Sequence, residues 1–460
     1  MENDKMKTAM NTLLAAAALA ALAALPALPA HAAGEAKNVI FFLGDGMGPA
    51  TVTAARIYQY GEGGKLAMEK LDRTARIKTF SNDAQTTDSA PSMSAYMTGV
   101  KMNNEVISMS SDTRAIEPNS DGTGNCGSNN GTPAATLLEL AKAKGKAIGA
   151  VTTTRVTHAT PAATYAHVCH RDAESDIIAQ AVPGGAGYNT RLGNGLDVLM
   201  GGGSKFLLPK ASGGKRGDGR NLLQEFAARG YPVLQTGSDL AAFDAKSASR
   251  VVGIFGKDHL EYELDRVKNK VDQPSLAQMT AAAIDVLSKN GNGYVLMVEG
   301  GRIDHALHGT NAKRALTDAI AFDDAIRTAL AKVDLNNTLV VVTADHDHTM
   351  TINGYSKRGN PIHDIARSYV DGQPAKDADG AVYTTLVFGN GPNRKPTRVS
   401  VDSAAATADD YQQETGIRLS SETHGGGDVM LMSGGAGSKG FKGVMDNTRV
   451  FGLVKSALGL

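Results

Sequence analysis

The sequence predicts an α/β fold with a central, mostly parallel sheet and helices on both of its faces. Four short apolar runs indicate the strands, at 38–43, 147–151, 294–298 and 339–342. They are apolar throughout, as expected of parallel strands buried on both sides. Each run ends in a polar turn, and segments with helical patterns lie between the runs. Such alternation is typical of sheets that bind ligands beyond the carboxyl ends of their strands.

Three segments carry helix signals. Residues 278–288 and 312–332 have the apolar spacing of amphipathic helices. The pair Thr132-Pro133 predicts an N-cap and a first helical position, opening a helix that runs to about Lys144.

Two segments interrupt this alternation. Residues 110–131 are rich in Ser, Asn, Gly and Asp, which predicts a surface loop. Residues 348–421 are polar and glycine-rich and lie between two candidate site segments. We interpret them as an inserted, crown-like subdomain over the site. The alternative is an ordinary crossover, but the segment is too long for one without structure of its own.

The first residues have the form of a signal peptide, 1–32, which leaves 33–460 as the mature domain. Two lysines precede an apolar run at 13–25, and residues 30–32 match the small-x-small cleavage pattern. The alternative is a membrane anchor, against which the prolines in this segment argue. No later run is apolar enough to span a bilayer. We therefore expect an exported protein, periplasmic or secreted, without a membrane segment after cleavage.

Charge and cysteine usage narrow the functional classes. The chain has 47 basic and 47 acidic side chains. A balanced charge without a basic tract argues against nucleic-acid binding. The two cysteines, Cys126 and Cys169, are expected to form a disulfide in an oxidising compartment, with two free buried thiols as the alternative. Neither lies in a C-x-x-C pattern, which argues against thiolate zinc binding.

Acidic and histidine residues concentrate at the predicted strand ends. Asp304 and His308 are four residues apart, so on a helix both could reach one metal ion. Asp345 and His346 adjoin at a strand end and could converge on a second ion. His424 is followed by three glycines, which allow a ligand to pass close to the backbone.

Carboxylates gathered at one edge of the sheet would repel one another without cations. Asp45, at the end of the first run, and Glu299, at the end of the third, join Asp304 and Asp345 in this set. Zinc suits the histidine and aspartate ligands. Magnesium suits an all-oxygen subset of Asp45, Thr160 and Glu299.

Ser89 is the candidate nucleophile. It precedes a predicted helix at 90–97, and a helix N-terminus favours bound anions. A metal ion can lower the pKa of a hydroxyl and so replace a general base. Taken alone, Asp88-Ser89 is more typical of a plain helix N-cap than of a nucleophile.

Together these motifs, in order and spacing, resemble the alkaline phosphatase family over nearly the whole mature chain. The matching segments are 44–48 (GDGMG), 87–90 (TDSA), 153–161 (TTRVTHATP), 197–203 (DVLMGGG), 298–305 (VEGGRIDH), 343–346 (TADH) and 422–424 (ETH). The resemblance implies hydrolysis of phosphate monoesters to an alcohol and inorganic phosphate at alkaline pH, through a phosphoserine at Ser89. It also implies a homodimer.

The resemblance further implies a set of ligands and a phosphate-binding residue. Asp304, His308 and His424 would hold one zinc ion, and Asp45, Asp345 and His346 the other. Asp45 would bridge to a third site, usually magnesium, completed by Thr160 and Glu299. Arg171 would bind two phosphate oxygens, a bidentate task that suits a guanidinium.

Histidines at two positions follow the pattern of the animal enzymes. His158 and His305 would lie beside the third site, as supports rather than ligands, and could admit another divalent ion there. The other histidines are predicted to be structural or surface residues: His167, His170, His259, His348 and His363. In particular, His348 is not expected to be a ligand, because both zinc sets are complete without it.

Rival functions lie inside and outside the same superfamily. A sulfatase would need an arginine at the end of a C/S-x-P-x-R motif, where this chain has Met93. A phosphodiesterase commonly lacks the third metal set, so Thr160, Glu299 and Arg171 favour a monoesterase. A non-catalytic extracellular metal- or phosphate-binding protein is the alternative from another class.

Overall fold

Ten strands form one sheet in the computed structural model, which describes residues 35–460. The predicted signal peptide therefore lies outside the described residues. The strands of the chain are β1 (Asn38–Gly44), β2 (Arg73–Lys78), β3 (Ala147–Arg155), β4 (Val198–Gly202), β5 (Val233–Leu234), β6 (Val251–Ile254), β7 (Tyr294–Gly300), β8 (Thr338–Thr343), β9 (Asp347–His348), β10 (Met350–Ile352), β11 (Leu386–Gly391), β12 (Thr415–Arg418), β13 (His424–Gly425), β14 (Val429–Gly435) and β15 (Gly443–Asp446).

The main sheet has the order β15-β2-β14-β8-β1-β7-β3-β4-β6-β5. β1 lies between β7 and β8 and is parallel to both, with Phe41 opposite Met297 and Val341. Only β14 runs antiparallel to its neighbours in this sheet. The prediction of a mostly parallel sheet is confirmed, and the four predicted strands are β1, β3, β7 and β8.

The helices are α1 (Pro49–Tyr60), α2 (Ser89–Thr98), α3 (Leu137–Ala143), α4 (Ala159–Tyr165), α5 (Glu174–Ala179), α6 (Ser204–Leu207), α7 (Leu222–Ala228), α8 (Gly237–Ala242), α9 (Glu263–Lys268), α10 (Leu276–Leu287), α11 (Arg302–His308), α12 (Ala312–Lys332), α13 (Ser403–Ala406) and α14 (Asn447–Leu458). Short 3-10 turns lie at Met68–Lys70, Thr190–Leu192, Lys210–Ser212 and Ser438–Gly440. One group, α1, α10 and α12, packs together, and so does a second group, α2, α3, α4 and α14. Helices of both groups contact the central strands β1 and β7, so the sheet is covered on both faces.

The predicted start of α3 is wrong. The helix begins at Leu137, and Thr136 caps it in a reciprocal pair of hydrogen bonds with Glu139, of 2.9 and 3.2 Å. Thr132 and Pro133 are extended instead. The Thr132 carbonyl accepts from the Ser110 amide at 2.8 Å, so pairing with the preceding loop overrides the local helix signal.

The predicted loop at 110–131 is confirmed as an irregular segment. It carries Cys126, which forms a disulfide with Cys169. This bond fastens the loop to the segment that connects α4 to α5. No helix within residues 35–460 is both long and apolar enough to cross a membrane.

Residues 348–421 contain a sheet of their own. β10, β11 and β12 form it, with β11 antiparallel to β10 and parallel to β12. β9 and β13 form a separate two-residue ribbon in which His348 lies opposite His424. The ribbon joins the two ends of this segment next to the main sheet.

Candidate active site

Ser89 is the first residue of α2, and its side chain is only 2% exposed. The carboxylate of Asp88 caps the helix by accepting from the Ala90 amide at 2.7 Å. Because Asp88 performs the capping, the Ser89 hydroxyl is free for another role. Its Oγ lies 3.2 Å from Nε2 of His346 and 3.3 Å from Oδ1 of Asp45.

A group that we call the histidine cluster consists of Asp304, His308, His348 and His424. Oδ1 of Asp304 lies 2.8 Å from Nε2 of His348, 3.3 Å from Nε2 of His308 and 3.5 Å from Nε2 of His424. Asp304 and His308 share one face of α11, as their spacing predicts.

Backbone carbonyls orient the two histidines of this cluster that the sequence identifies as ligands. Nδ1 of His308 donates to the carbonyl of Glu422 at 2.6 Å, and Nδ1 of His424 to that of Thr87 at 2.8 Å. When the rings are neutral, both Nε2 atoms carry lone pairs, and the two atoms lie only 3.1 Å apart. Lone pairs that face the same point fit a shared metal ion, with carbonyls fixing the rings as outer partners do in zinc sites.

A second group, the carboxylate cluster, consists of Asp45, Thr160, Glu299, Asp345 and His346. Three neighbouring strands supply most of it, since Asp45 follows β1, Glu299 lies in β7, and Asp345 follows β8. Nε2 of His346 lies 3.3 Å from Asp45 Oδ1 and 3.4 Å from Asp345 Oδ2.

The turn after β1 depends on a glycine. Gly46 has φ 65° and donates its amide to Oδ1 of Asp345 at 3.0 Å. A β-carbon at Gly46 would lie 2.4 Å from the ring of His348. The glycine thus lets both clusters approach the backbone closely.

Several buried polar atoms of the carboxylate cluster lack a hydrogen-bond partner within residues 35–460. They are Asp45 Oδ2, Thr160 Oγ1, Glu299 Oε1 and Asp345 Oδ2, together with Nδ1 of the adjacent His158. The other oxygen of Glu299 accepts from the hydroxyls of Thr152 and Thr154. Buried oxygens without partners are costly unless they bind a cation, so this donor set fits oxygen-preferring divalent ions.

The two clusters differ in the direction of their pKa shifts. Burial, helped by the charges of Asp345 and Asp304, raises the pKa of Asp45 well above its usual range. Burial likewise raises the pKa of Glu299 to about 7. Burial also opposes ionisation of Asp304, but the neighbouring imidazoles prevail and hold its pKa well below its usual range.

Arg171 approaches Ser89 from the segment between α4 and α5. Its Nη1 donates to Oδ1 of Asp88 at 3.0 Å and its Nη2 to Nε2 of His158 at 3.1 Å. Its backbone amide donates to the carbonyl of Glu105 at 2.7 Å. Since Asp88 adjoins Ser89, this ion pair holds the guanidinium beside the N-terminus of α2.

Comparison with known proteins identifies the family. The family model for alkaline phosphatase matches residues 36–460. The alkaline phosphatase of Gadus morhua is 38% identical over 432 residues, covering 87% of each chain. The human tissue-nonspecific isozyme is 37% identical over 434 residues, covering 87% of this chain and 79% of that one. The chain belongs to the alkaline phosphatase family.

Solved structures agree with this assignment. Thermus thermophilus alkaline phosphatase is 29% identical, with a TM-score of 0.70 over 93% of this chain and 92% of that one. Alkaline phosphatase from the Antarctic bacterium TAB5, at 23% identity, shares the fold with a TM-score of 0.65 over 92% and 98%. This chain is accordingly a metal-dependent hydrolase of phosphate monoesters, as the motifs predict.

His348, predicted to be a structural or surface residue rather than a ligand, is buried inside the histidine cluster of this alkaline phosphatase chain. It bridges Asp304 and Glu422, whose carboxylate accepts from Nδ1 of His348 at 2.5 Å. Burial opposes its protonation, but these two carboxylates raise the pKa of His348 to about 10. His348 lies two residues after His346, and Glu422 lies two residues before His424. This spacing from predicted ligands is the sequence feature that could have revealed His348 and Glu422.

His259 is a second residue whose position the sequence did not reveal. Its ring lies 5.3 Å from that of His158 and 4.3 Å from that of His305, measured between centroids. Burial lowers the pKa of His305 to about 3 and that of His158 well below its usual range. The predicted pair of histidines beside the third site therefore belongs to a group of three neutral imidazoles.

Proposed function

We propose that the chain is an exported, zinc- and magnesium-dependent phosphomonoesterase whose nucleophile is Ser89. One observation carries the proposal. The Ser89 hydroxyl does not cap the helix and lies between Asp45 and His346 at the N-terminus of α2. The amides at this end of a ten-residue helix favour a bound phosphate.

The donor sets suggest which residues hold each ion. Asp304, His308 and His424 would hold one zinc ion, and Asp45, Asp345 and His346 the other. Asp45, Thr160 and Glu299 would hold magnesium, and His158 could adapt this third site to another divalent ion. When bound, these ions lower the pKa of hydroxyl and water and offset phosphate charge.

The residues of the chain perform the transfer in two steps. Arg171 donates two N–H groups to phosphate oxygens and orients the ester. Ser89 Oγ loses its proton and bonds to phosphorus while the bond to the leaving oxygen breaks. The leaving oxygen takes up a proton, which gives phosphoserine and the alcohol. Water then loses a proton and bonds to phosphorus while the bond between phosphorus and Ser89 Oγ breaks. Ser89 Oγ takes up a proton, which restores the serine and releases inorganic phosphate. Arg171 stabilises charge on the same oxygens in both steps.

The decisive test is Ser89→Ala. We expect turnover of p-nitrophenyl phosphate to fall by roughly a thousandfold or more, because no covalent intermediate can form, with zinc content unchanged. Ser94→Ala is the matched control on the same helix, since its hydroxyl accepts from the Ser108 amide instead. Full activity in Ser89→Ala would refute the assignment of the nucleophile.

Comparison of p-nitrophenyl phosphate with its bis ester separates the monoesterase from a phosphodiesterase. We expect the monoester to be strongly preferred, because Arg171 and the third metal set suit a phosphate with three free oxygens. Preference for the bis ester would favour the diesterase.

Export and dimerisation complete the proposal. The Cys126–Cys169 bond supports an oxidising destination, either periplasmic or extracellular. Exposed apolar residues between β10 and β12 and within β12 support a homodimer, with Tyr355 at 85%, Val370 at 76% and Ile417 at 64% exposure. Light scattering of the purified protein would test the dimer, and a monomer would contradict it.

A further inference from the structure

A buried ion pair lies just outside the two clusters. Arg155 is the last residue of β3, and Glu174 is the first residue of α5. Nε and Nη2 of Arg155 donate to Oε2 and Oε1 of Glu174, both at 2.7 Å. The side chains are 13% and 6% exposed. The Thr157 hydroxyl also donates to Oε2 of Glu174.

The Arg155–Glu174 pair joins the same two chain segments as the contact between His158 and Arg171. His158 lies three residues after Arg155, and Arg171 lies three residues before Glu174. His158 and Arg171 are themselves joined at 3.1 Å. The His158 amide also donates to the Arg155 carbonyl at 2.9 Å, which fixes the turn between them. Two chain segments are thus connected twice, once by the Arg155–Glu174 pair and once at the phosphate-binding residue.

Other contacts also hold the segment that carries Arg171, among them the ion pair of Arg171 with Asp88 and the paired backbone hydrogen bonds between Val168 and Ile107. The disulfide at Cys169 holds its beginning, and the Glu105 carbonyl holds the Arg171 amide. Beyond Arg171, Glu174 is the next side chain of the segment to form a buried ion pair. A bidentate carboxylate–guanidinium pair restricts both distance and direction, unlike a single hydrogen bond.

We propose that Arg155 and Glu174 are positioning residues that set the place of the Arg171 guanidinium and thereby the affinity for phosphate. The inference depends on the proposed phosphate-binding role of Arg171. Neither residue belongs to a metal-ligand set, so loss of the pair acts on phosphate binding rather than on zinc. A displacement of about 1 Å at a positioning group can reduce activity roughly a hundredfold.

The experiment measures inhibition of the metal-loaded enzyme by inorganic phosphate in the variants Glu174→Gln, Arg171→Ala and both combined. In Glu174→Gln we expect Ki for phosphate and KM for p-nitrophenyl phosphate to rise roughly tenfold, with zinc content unchanged. On the Arg171→Ala background the same change should have less than about a twofold effect, because the residue being positioned is gone.

Glu225→Gln is the matched control. Arg220 and Glu225 form an equally bidentate pair, at 2.7 and 2.8 Å, but contact neither cluster nor Arg171. We expect its Ki for phosphate to equal that of the wild type. If Glu174→Gln does not fold, Thr157→Val removes one donor to the same carboxylate and should give a smaller rise in Ki.

The outcomes separate the inference from the proposed function. If Arg171→Ala leaves Ki unchanged, the proposed role of Arg171 fails and the inference fails with it. If Arg171→Ala raises Ki but Glu174→Gln and Thr157→Val do not, only the inference is overturned. Equal effects of Glu174→Gln with and without Arg171 would show a general structural role and would also overturn it.

Discussion

The histidine cluster and the carboxylate cluster lie side by side but balance charge in opposite ways. In the histidine cluster, three imidazoles surround the single carboxylate of Asp304 within 3.5 Å. In the carboxylate cluster, Asp45 and Asp345 share one imidazole, that of His346, whereas Glu299 lies with Asp45 near His158. Within residues 35–460, each of these three carboxylates keeps a buried oxygen without a hydrogen-bond partner.

This difference teaches that protein groups balance the charge of the histidine cluster, whereas the carboxylate cluster needs a bound cation or a proton. The imidazoles favour the ionised form of Asp304, so the histidine cluster is compensated by protein groups. Burial and mutual repulsion disfavour the ionised forms of Asp45 and Asp345. A divalent cation, or a proton, must supply the missing positive charge there.

Chelation should have the largest effect. We expect removal of the metals to lower phosphomonoesterase activity by roughly a thousandfold or more, and zinc with magnesium to restore it. The free energy of unfolding should also fall, and fall further at alkaline pH, where the carboxylates of the second cluster ionise. A metal-free protein that kept its activity would contradict the requirement of the carboxylate cluster for bound cations.

Paired substitutions in the metal-free protein compare the clusters directly. Asp304→Asn leaves three imidazoles without their shared acceptor, so we expect a loss of roughly 3 kcal/mol in the free energy of unfolding. Glu299→Gln removes a buried charge and should be neutral or stabilise by about 1 kcal/mol at pH above about 8. Urea unfolding measures both. If both substitutions changed the free energy of unfolding in the same direction, the two clusters would not differ in how their charge is balanced.

His348→Gln tests how far the histidine cluster depends on its outer support. We expect zinc affinity to fall roughly tenfold to a hundredfold, because the link from Glu422 to Asp304 is broken. His363→Gln, whose ring packs against Tyr58, is the control and should leave zinc affinity unchanged. Competition with a chromophoric chelator gives the affinities.

Asp318 is a buried carboxylate outside both clusters. Its substitution should have the smallest effect on the free energy of unfolding. Burial raises its pKa to about 8 in the folded protein. The folded state therefore binds more protons than the unfolded one, and stability falls as pH rises towards the folded pKa. Between about pH 7 and pH 9, Asp318→Asn should gain about 1 kcal/mol relative to the wild type. An equal pH dependence of unfolding in both proteins would refute this.

The sheet was predictable because its strands are local and uniformly apolar. The runs at β1, β3, β7 and β8 need no long-range information, and neither does the capped, amphipathic helix α12. The start of α3 was missed because Thr132 pairs with Ser110, and that contact between separate segments overrides a valid local signal.

The same reasoning explains the candidate site. Asp304 and His308 share a helix face and Asp45 follows a strand, so their convergence follows from spacing and topology. His348 and Glu422 meet only because β9 pairs with β13, and His259 reaches His158 and His305 from a loop after β6. Pairing between short ribbons and loops leaves no periodic pattern in the sequence.

The β9–β13 ribbon restricts which segments of related enzymes can replace residues 349–423. Its two facing histidines, His348 and His424, flank residues 349–423 and also belong to the histidine cluster. A foreign segment can replace what lies between them only if its ends meet at the separation of two paired strands. An inserted segment with wider ends would separate the two histidines. Replacement of this region is therefore confined to segments whose ends preserve the pairing of β9 with β13.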